Sequence, residues 1–133
     1  MGVSVLNRFM IQGISHITLI VRDIEKTADL FRKIFNAREV YSSGDNYHSR
    51  SKEKFFLIND VWFVIMEGDS LPEKSYNHIA FSISDDDFDR YTDIIVALGL
   101  ETIHDRNRIE GEGRSIYFFD YDNHLFELHT GSL

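Results

Sequence analysis

A strand followed by an amphipathic helix occurs twice along the chain. The segment GISHITLIV at 13–21 precedes a helical pattern at 23–35, in which Asp23 is a candidate N-cap. The segment YNHIAFSI at 76–83 leads in the same way into 84–98, with Ser84 as N-cap, Asp87 at the capping-box position and Gly99 as terminator. This internal repeat predicts two modules of the same architecture.

Each predicted helix is followed by three stretches of strand-forming residues. They cover 40–43, 55–59 and 61–67 in the first half, and 101–104, 115–120 and 124–130 in the second. Both halves are therefore β-α-β-β-β, which predicts an α+β fold of paired βαβββ modules. We expect one domain over residues 1–133, with module one at about 11–68, a linker at 69–75 and module two at about 76–131.

Strand alternation predicts where the first histidine of each module points. In 16–21 the apolar residues Ile17, Leu19 and Val21 form the face that packs on the helix, so His16 and Thr18 lie on the opposite face. The same alternation at 78–83 turns His78 away from the second helix. The two histidines therefore occupy matching positions on the concave face of a curved sheet.

The last predicted strand adds a carboxylate. Glu127 and His129 share one face of it, and Ser115 and Tyr117 share another face on the preceding strand. Two histidines and one carboxylate from different strands form a set that holds a divalent metal and leaves positions open for a substrate oxygen.

The candidate metal ligands are accordingly His16, His78 and Glu127. His129 competes with Glu127 because it shares the same face. Aligning the two repeats places an apolar residue opposite Glu127, so Glu67 is a weaker candidate and a three-ligand site is favoured. The remaining histidines are in loop or turn contexts, where we expect solvated side chains; they are His48, His104 and His124.

Composition narrows the class of protein. The 133 residues are 43% hydrophobic and 14% aromatic, enough for a buried core. There is no cysteine, which excludes disulfides, thiolate ligands and a cysteine nucleophile. The net charge of −8 disfavours nucleic acids and anionic membranes as partners. Residues 1–12 lack a signal-peptide pattern and no run reaches the length of a membrane span, so we expect a soluble cytoplasmic protein.

Taken together, several motifs resemble those of a known superfamily. They are ISHITLIV at 14–21, YSSGD at 41–45, SKEKFFLI at 51–58, IMEGDSL at 65–71, YNHIAF at 76–81, GEGRSIYF at 111–118 and DNHLFELH at 122–129. The chain resembles the vicinal-oxygen-chelate (glyoxalase) superfamily from about residue 13 to its end. More closely, it is similar to the fosfomycin resistance proteins, and among them to the epoxide hydrolases of the FosX type.

The resemblance implies an enzyme that opens the epoxide of fosfomycin with water, using one Mn²⁺ per site. It implies that His16, His78 and Glu127 are the ligands, in a homodimer where His16 comes from one subunit and the other two from its partner. Glu53 matches the position of the base that activates water, although a KEK sequence at the start of a strand is by itself typical of a solvated edge.

The resemblance also suggests contacts to the substrate. Ser115 and Tyr117 match positions that contact the phosphonate, and Thr18 is placed to hydrogen-bond the departing oxygen. Arg108 is a better candidate phosphonate ligand than Arg114, which should point away from Ser115. Trp62 resembles an aromatic residue that lines the pocket, with a role as core filler as the alternative.

Three alternatives share parts of this pattern. A thiol transferase would use the same metal and substrate but add a small thiol instead of water. A metal-free module that sequesters a drug, as in bleomycin-binding relatives, is disfavoured by three intact ligands. A ring-cleaving dioxygenase would share the ligand set, but the chain is short for that role.

Overall fold

The computed structural model describes residues 9–44, 51–103 and 113–131. The first module contains β1 (His16–Val21), α1 (Ile24–Phe35), β2 (Arg38–Ser42), β3 (Glu53–Ile58) and β4 (Val61–Glu67). The second contains β5 (His78–Ser82), a 3₁₀ turn (Asp85–Asp87), α2 (Phe88–Ala97), β6 (Thr102–Ile103), β7 (Ser115–Phe119) and β8 (Leu125–His129). The predicted β-α-β-β-β order of both halves is confirmed.

Each module folds into its own four-stranded sheet. The strand orders are β1-β4-β3-β2 and β5-β8-β7-β6, so the two sheets have the same topology. The first strand pairs in parallel with the last in each module, and the other pairs are antiparallel. Within the described ranges no helix is both long and apolar enough to cross a membrane.

The helix ends match the sequence signals in α1 but not fully in α2. The Asp23 carboxylate accepts a hydrogen bond from the Lys26 backbone N–H at 3.1 Å, as an N-cap does. Ser84 instead caps the 3₁₀ turn, accepting from Asp86 N–H at 3.3 Å. The capping-box prediction is wrong, because the Asp87 carboxylate binds Arg90 at 3.3 Å and makes no cap hydrogen bond.

One aromatic core joins the two modules through α1. Phe31 packs edge-on against Phe56 and Phe63 of the first sheet. One turn later Phe35 contacts the rings of the second sheet, which are Phe81, Phe118 and Phe126. Both sheets therefore turn their helix-side faces towards a shared core, and their opposite faces are left for the polar residues of the candidate site.

Candidate metal centre and active site

Two adjacent strands present polar side chains on the face of the second sheet that is turned away from the shared core, which we call its open face although most of these side chains are themselves buried. Tyr117 of β7 lies directly opposite Glu127 of β8, and Ser115 lies opposite His129. Residues that are opposite each other in a ladder project to the same side of the sheet. All four side chains therefore share one face, and the prediction that Ser115 and Tyr117 lie on another face than Glu127 is wrong.

His78 and Glu127 form a close pair on this face. The His78 Nε2 atom lies 3.0 Å from Glu127 Oε1, and His78 Nδ1 lies 2.7 Å from the Tyr76 carbonyl oxygen. A carbonyl oxygen only accepts hydrogen bonds, so Nδ1 carries the donated proton, and in a neutral ring Nε2 presents a lone pair. Neutral imidazole with its other nitrogen bound to a carbonyl is the form that ligates metals.

The geometry of this pair fits a divalent metal. A lone pair on Nε2 and an ionised carboxylate at 3.0 Å repel each other unless a proton or a cation lies between them. Two ligands that are each about 2.1 Å from one ion and about 90° apart are separated by about 3 Å. The donor set and the spacing therefore suit a metal such as Mn²⁺, with both side chains only partly exposed.

The second carboxylate oxygen of Glu127, Oε2, is bound on the side away from His78. Ser115 Oγ donates to Glu127 Oε2 at 2.5 Å and lies 2.6 Å from His129 Nδ1. His129 Nε2 is buried without a hydrogen-bond partner in the described part of the chain. His129 therefore presents no exposed nitrogen to a metal next to His78, which favours Glu127 over it as the ligand.

His16 lies on the open face of the first sheet. Its Nδ1 is 3.0 Å from Ser15 Oγ, and the ring is exposed at the start of β1. It lines a shallow cavity of about 310 Å³ together with Phe55, Trp62 and Val64. Trp62 is 37% exposed, so the structure places it at the pocket wall and not in the core.

Within one chain His16 does not join the other two candidate ligands. Among the described residues no group of three or more His, Asp or Glu side chains is close enough to hold one metal ion. The reason is architectural, because each sheet turns one face to the shared core and the face with the candidate ligands away from it. Among the described residues, His78 and Glu127 are therefore a pair of candidate ligands without a third in reach.

Glu53 and Thr18 share the open face with His16. Thr18 is exposed two residues along β1, and alternation in β3 places Glu53 on the same side as Phe55. The next residue, Lys54, is buried on the opposite side and binds both carboxylate oxygens of Glu39 at 3.1–3.2 Å. The sequence pattern does not indicate this ion pair. Because it holds Lys54 on the opposite side of β3, the neighbouring Glu53 side chain is directed to the open face.

Glu53 lies at the far end of the face from His16. His16 is level with Leu57 through their common partner Trp62, so the two Cα atoms are four residues and two strands apart, about 16 Å. Glu53 lines a cavity of about 690 Å³. Its backbone is fixed by the buried Ser43, whose Oγ accepts from Glu53 N–H at 3.0 Å.

The remaining candidates have mixed outcomes. Arg108 lies outside the described residues. Arg114 stacks over the Phe88 ring at 4.2 Å and binds the Asp85 carboxylate at 3.0 Å, so it does point away from the open face. His124 is not solvated as expected, because its Nδ1 binds the buried Asp120 carboxylate at 2.8 Å and its side chain is only 12% exposed.

This fold and this half-site define the class of protein. The model of the Glyoxalase/Bleomycin resistance protein/Dioxygenase superfamily matches residues 13–128. The chain is 62% identical over 124 residues to the fosfomycin resistance protein FosX of Listeria monocytogenes, covering 93% of both chains. It therefore belongs to this superfamily and, within it, to the FosX group of fosfomycin resistance proteins.

Solved structures and a more distant relative agree with this placement. A crystal structure of a mutant Listeria monocytogenes FosX, complexed with Mn(II) and 1S,2S-dihydroxypropylphosphonic acid, is similar at a TM-score of 0.85 and 60% identity, with 93% of this chain and 94% of that chain covered. The metallothiol transferase FosB of Lysinibacillus sphaericus is 34% identical over 127 residues, covering 92% of this chain and 85% of that protein. The identity is thus much higher to FosX than to the thiol transferase.

Proposed function

We propose that this protein hydrolyses the epoxide of fosfomycin to a diol, with one Mn²⁺ ion per active site. The observation that carries the proposal is the His78–Glu127 pair, with its donor atoms 3.0 Å apart. It occurs in a chain 62% identical to a FosX protein, and a similar FosX structure holds Mn(II) with a dihydroxypropylphosphonic acid. Addition of water across the fosfomycin epoxide yields a compound of that kind.

The complete site would be shared between two subunits of a homodimer. His78 and Glu127 of one subunit would meet His16 of the partner subunit, since no such triad forms among the described residues of one chain. The face around His16 also exposes apolar side chains, which favours a cover: Ile20, Tyr41 and Trp62 are each 37–38% exposed. Two open sheet faces of this kind can cover each other in a symmetric dimer.

A divalent metal bound there would supply positive charge beside the epoxide oxygen, where negative charge develops as the ring opens. Glu53 accepts a proton from water as the water oxygen attacks a ring carbon and the carbon–oxygen bond breaks. The Thr18 hydroxyl donates a hydrogen bond to the departing oxygen. That oxygen then takes up a proton from solvent and Glu53 releases the proton it accepted to solvent, so that one water is added in total and the diol is complete.

The substrate would lie along the open face of the first sheet. Phe55 and Val64 lie between His16 and Glu53 and form the floor of the shallower cavity, with Trp62 at its side. A substrate held over this floor spans part of the 16 Å between the metal end and the base.

The contacts of Ser115 argue against the expectation that both Ser115 and Tyr117 bind the phosphonate. Ionised phosphonate oxygens only accept hydrogen bonds, but the single Ser115 proton already serves Glu127. We therefore assign the phosphonate to Tyr117, on the same face, and to Arg108, which lies outside the described residues. Ser115 would contact it only by releasing Glu127.

The test is product analysis by NMR after incubation with fosfomycin and Mn²⁺, with and without a small thiol such as glutathione. We expect the diol at the same rate in both samples. A thiol adduct that forms only when thiol is present would replace the hydrolase with a transferase.

The cytoplasmic location expected from the sequence stays a prediction, which fractionation of the producing cells would check.

A further inference from the structure

A short chain of hydrogen bonds runs from Glu127 into the protein behind the proposed metal site. Ser115 Oγ lies 2.5 Å from Glu127 Oε2 and 2.6 Å from His129 Nδ1. Glu127 and His129 are 8% and 9% exposed, so water competes little for these contacts. These hydrogen bonds join side chains at paired positions of β7 and β8, so the residues that make them are held by a rigid strand ladder.

The direction of the hydrogen bonds follows from the number of protons. Ser115 has one hydroxyl proton and contacts two groups, while an ionised carboxylate can only accept. With Glu127 ionised, the hydroxyl donates to Glu127, so it must accept from an N–H at His129 Nδ1. In a neutral ring His129 Nε2 is then the atom without a proton, and it is buried without a hydrogen-bond partner in the described part of the chain.

This arrangement leaves one carboxylate oxygen of Glu127, Oε1, available to a metal. Its Oε2 accepts the Ser115 hydrogen bond and has His129 Nδ1 farther off at 3.5 Å, and its Oε1 faces His78 Nε2 at 3.0 Å. Without the Ser115 hydrogen bond, rotation of the carboxylate would move Oε1 away from that position. Partners of this type, which bind a ligand and not the metal, typically contribute about 10–100-fold to metal affinity.

We propose that His129, acting through Ser115, is a positioning residue that orients Glu127 for metal binding. The inference rests on the proposed function, because it takes Glu127 as a ligand. It differs from the two other roles that the sequence suggests, namely His129 as a direct ligand and Ser115 as a phosphonate contact. Each of these three roles gives a different pattern in the same measurements.

The experiment is Mn²⁺ titration of the purified protein, followed by electron paramagnetic resonance of the free ion, together with kcat and KM for fosfomycin at saturating Mn²⁺. We expect His129→Leu and Ser115→Ala each to raise the Mn²⁺ Kd by about 10–100-fold. The double variant should be no worse than about the larger single effect, because both changes break one chain. His129→Asn retains an N–H near the position of Nδ1 and should restore most of the affinity.

Two controls make the outcome specific. His124→Asn removes a histidine whose side chain is similarly little exposed and binds a carboxylate on the same hairpin, and it should leave the Mn²⁺ Kd unchanged. Glu127→Gln should raise the Kd itself. If Glu127→Gln has no effect, the ligand set of the proposed function is wrong.

If Glu127→Gln weakens binding while both Ser115→Ala and His129→Leu bind Mn²⁺ normally, the positioning role is wrong and the ligand set stands. A higher KM for fosfomycin in Ser115→Ala, with normal Mn²⁺ affinity, would instead return Ser115 to the phosphonate. Circular dichroism of each variant confirms folding before titration. Should His129→Leu not fold, Ser115→Ala decides the question alone, because it removes only one oxygen atom.

Discussion

Mixing two inactive variants tests whether each active site is built from two subunits. His16→Ala removes the proposed ligand on the first sheet, and His78→Ala removes a proposed ligand on the second sheet. If the site is shared, a mixed dimer holds one site with all three ligands intact and one site that lacks both histidines. Each parent dimer holds two sites that lack one ligand each.

The expected magnitude follows from counting sites. Random pairing of the two chains at equal amounts makes about half of all dimers mixed, and each mixed dimer has one intact site of two. The mixture should therefore recover about one quarter of the wild-type activity. Mixed dimers purified by two different affinity tags should recover about one half.

The assay is diol formation from fosfomycin at saturating Mn²⁺, with mixed dimers verified by native mass spectrometry. A matched control pairs His78→Ala with Glu127→Gln, which both change ligands that the second sheet would contribute. Every site of that mixed dimer lacks one ligand, so no recovery is expected. If His16→Ala and His78→Ala form mixed dimers but recover nothing, or if the wild-type protein is an active monomer, the shared site is refuted.

Further predictions concern the base, the sheet and the metal. Glu53→Gln should abolish hydrolysis while Mn²⁺ affinity stays near normal. The control Glu67→Gln, which changes another carboxylate of the same cavity, should remain active. Full activity of Glu53→Gln would rule out the base assignment. Lys54→Met should lower the free energy of unfolding by about 1–2 kcal/mol in urea titration, because among the described residues it leaves Glu39 with only its exposed partner Arg32. An unchanged midpoint would show that the Lys54–Glu39 ion pair contributes nothing. Mn²⁺ at 100 times its Kd should stabilise the protein by about 2.7 kcal/mol in a thermal melt, and chelation should reverse this; an identical melting temperature would argue against a resident metal.

Much of the fold follows from local sequence patterns. Alternation places His16, Thr18 and His78 on the faces opposite the helices, and the structure confirms each. Strand ends are less predictable because pairing decides them. Of the strand expected at 101–104, the structure assigns Thr102–Ile103, and the Glu101 carbonyl oxygen also accepts a hydrogen bond from Phe119 N–H of β7 at 2.9 Å; His104 lies outside the described residues.

The candidate site required information that no single segment contains. Alternation shows that Ser115 and Tyr117 share a face, but only the register against β8 shows that this face is also that of Glu127. In the same way, the sequence pattern marks His16, His78 and Glu127 as candidate ligands of one site without showing that one chain keeps His16 apart from the other two. Phe35 of α1 contributes to that separation, because it packs on the rings of the second sheet, so that both sheets face one core and their faces with the candidate ligands are turned away from it. A site read from motifs alone is therefore compatible with one subunit or two, and the way the two sheets share a core is the physical reason to favour two.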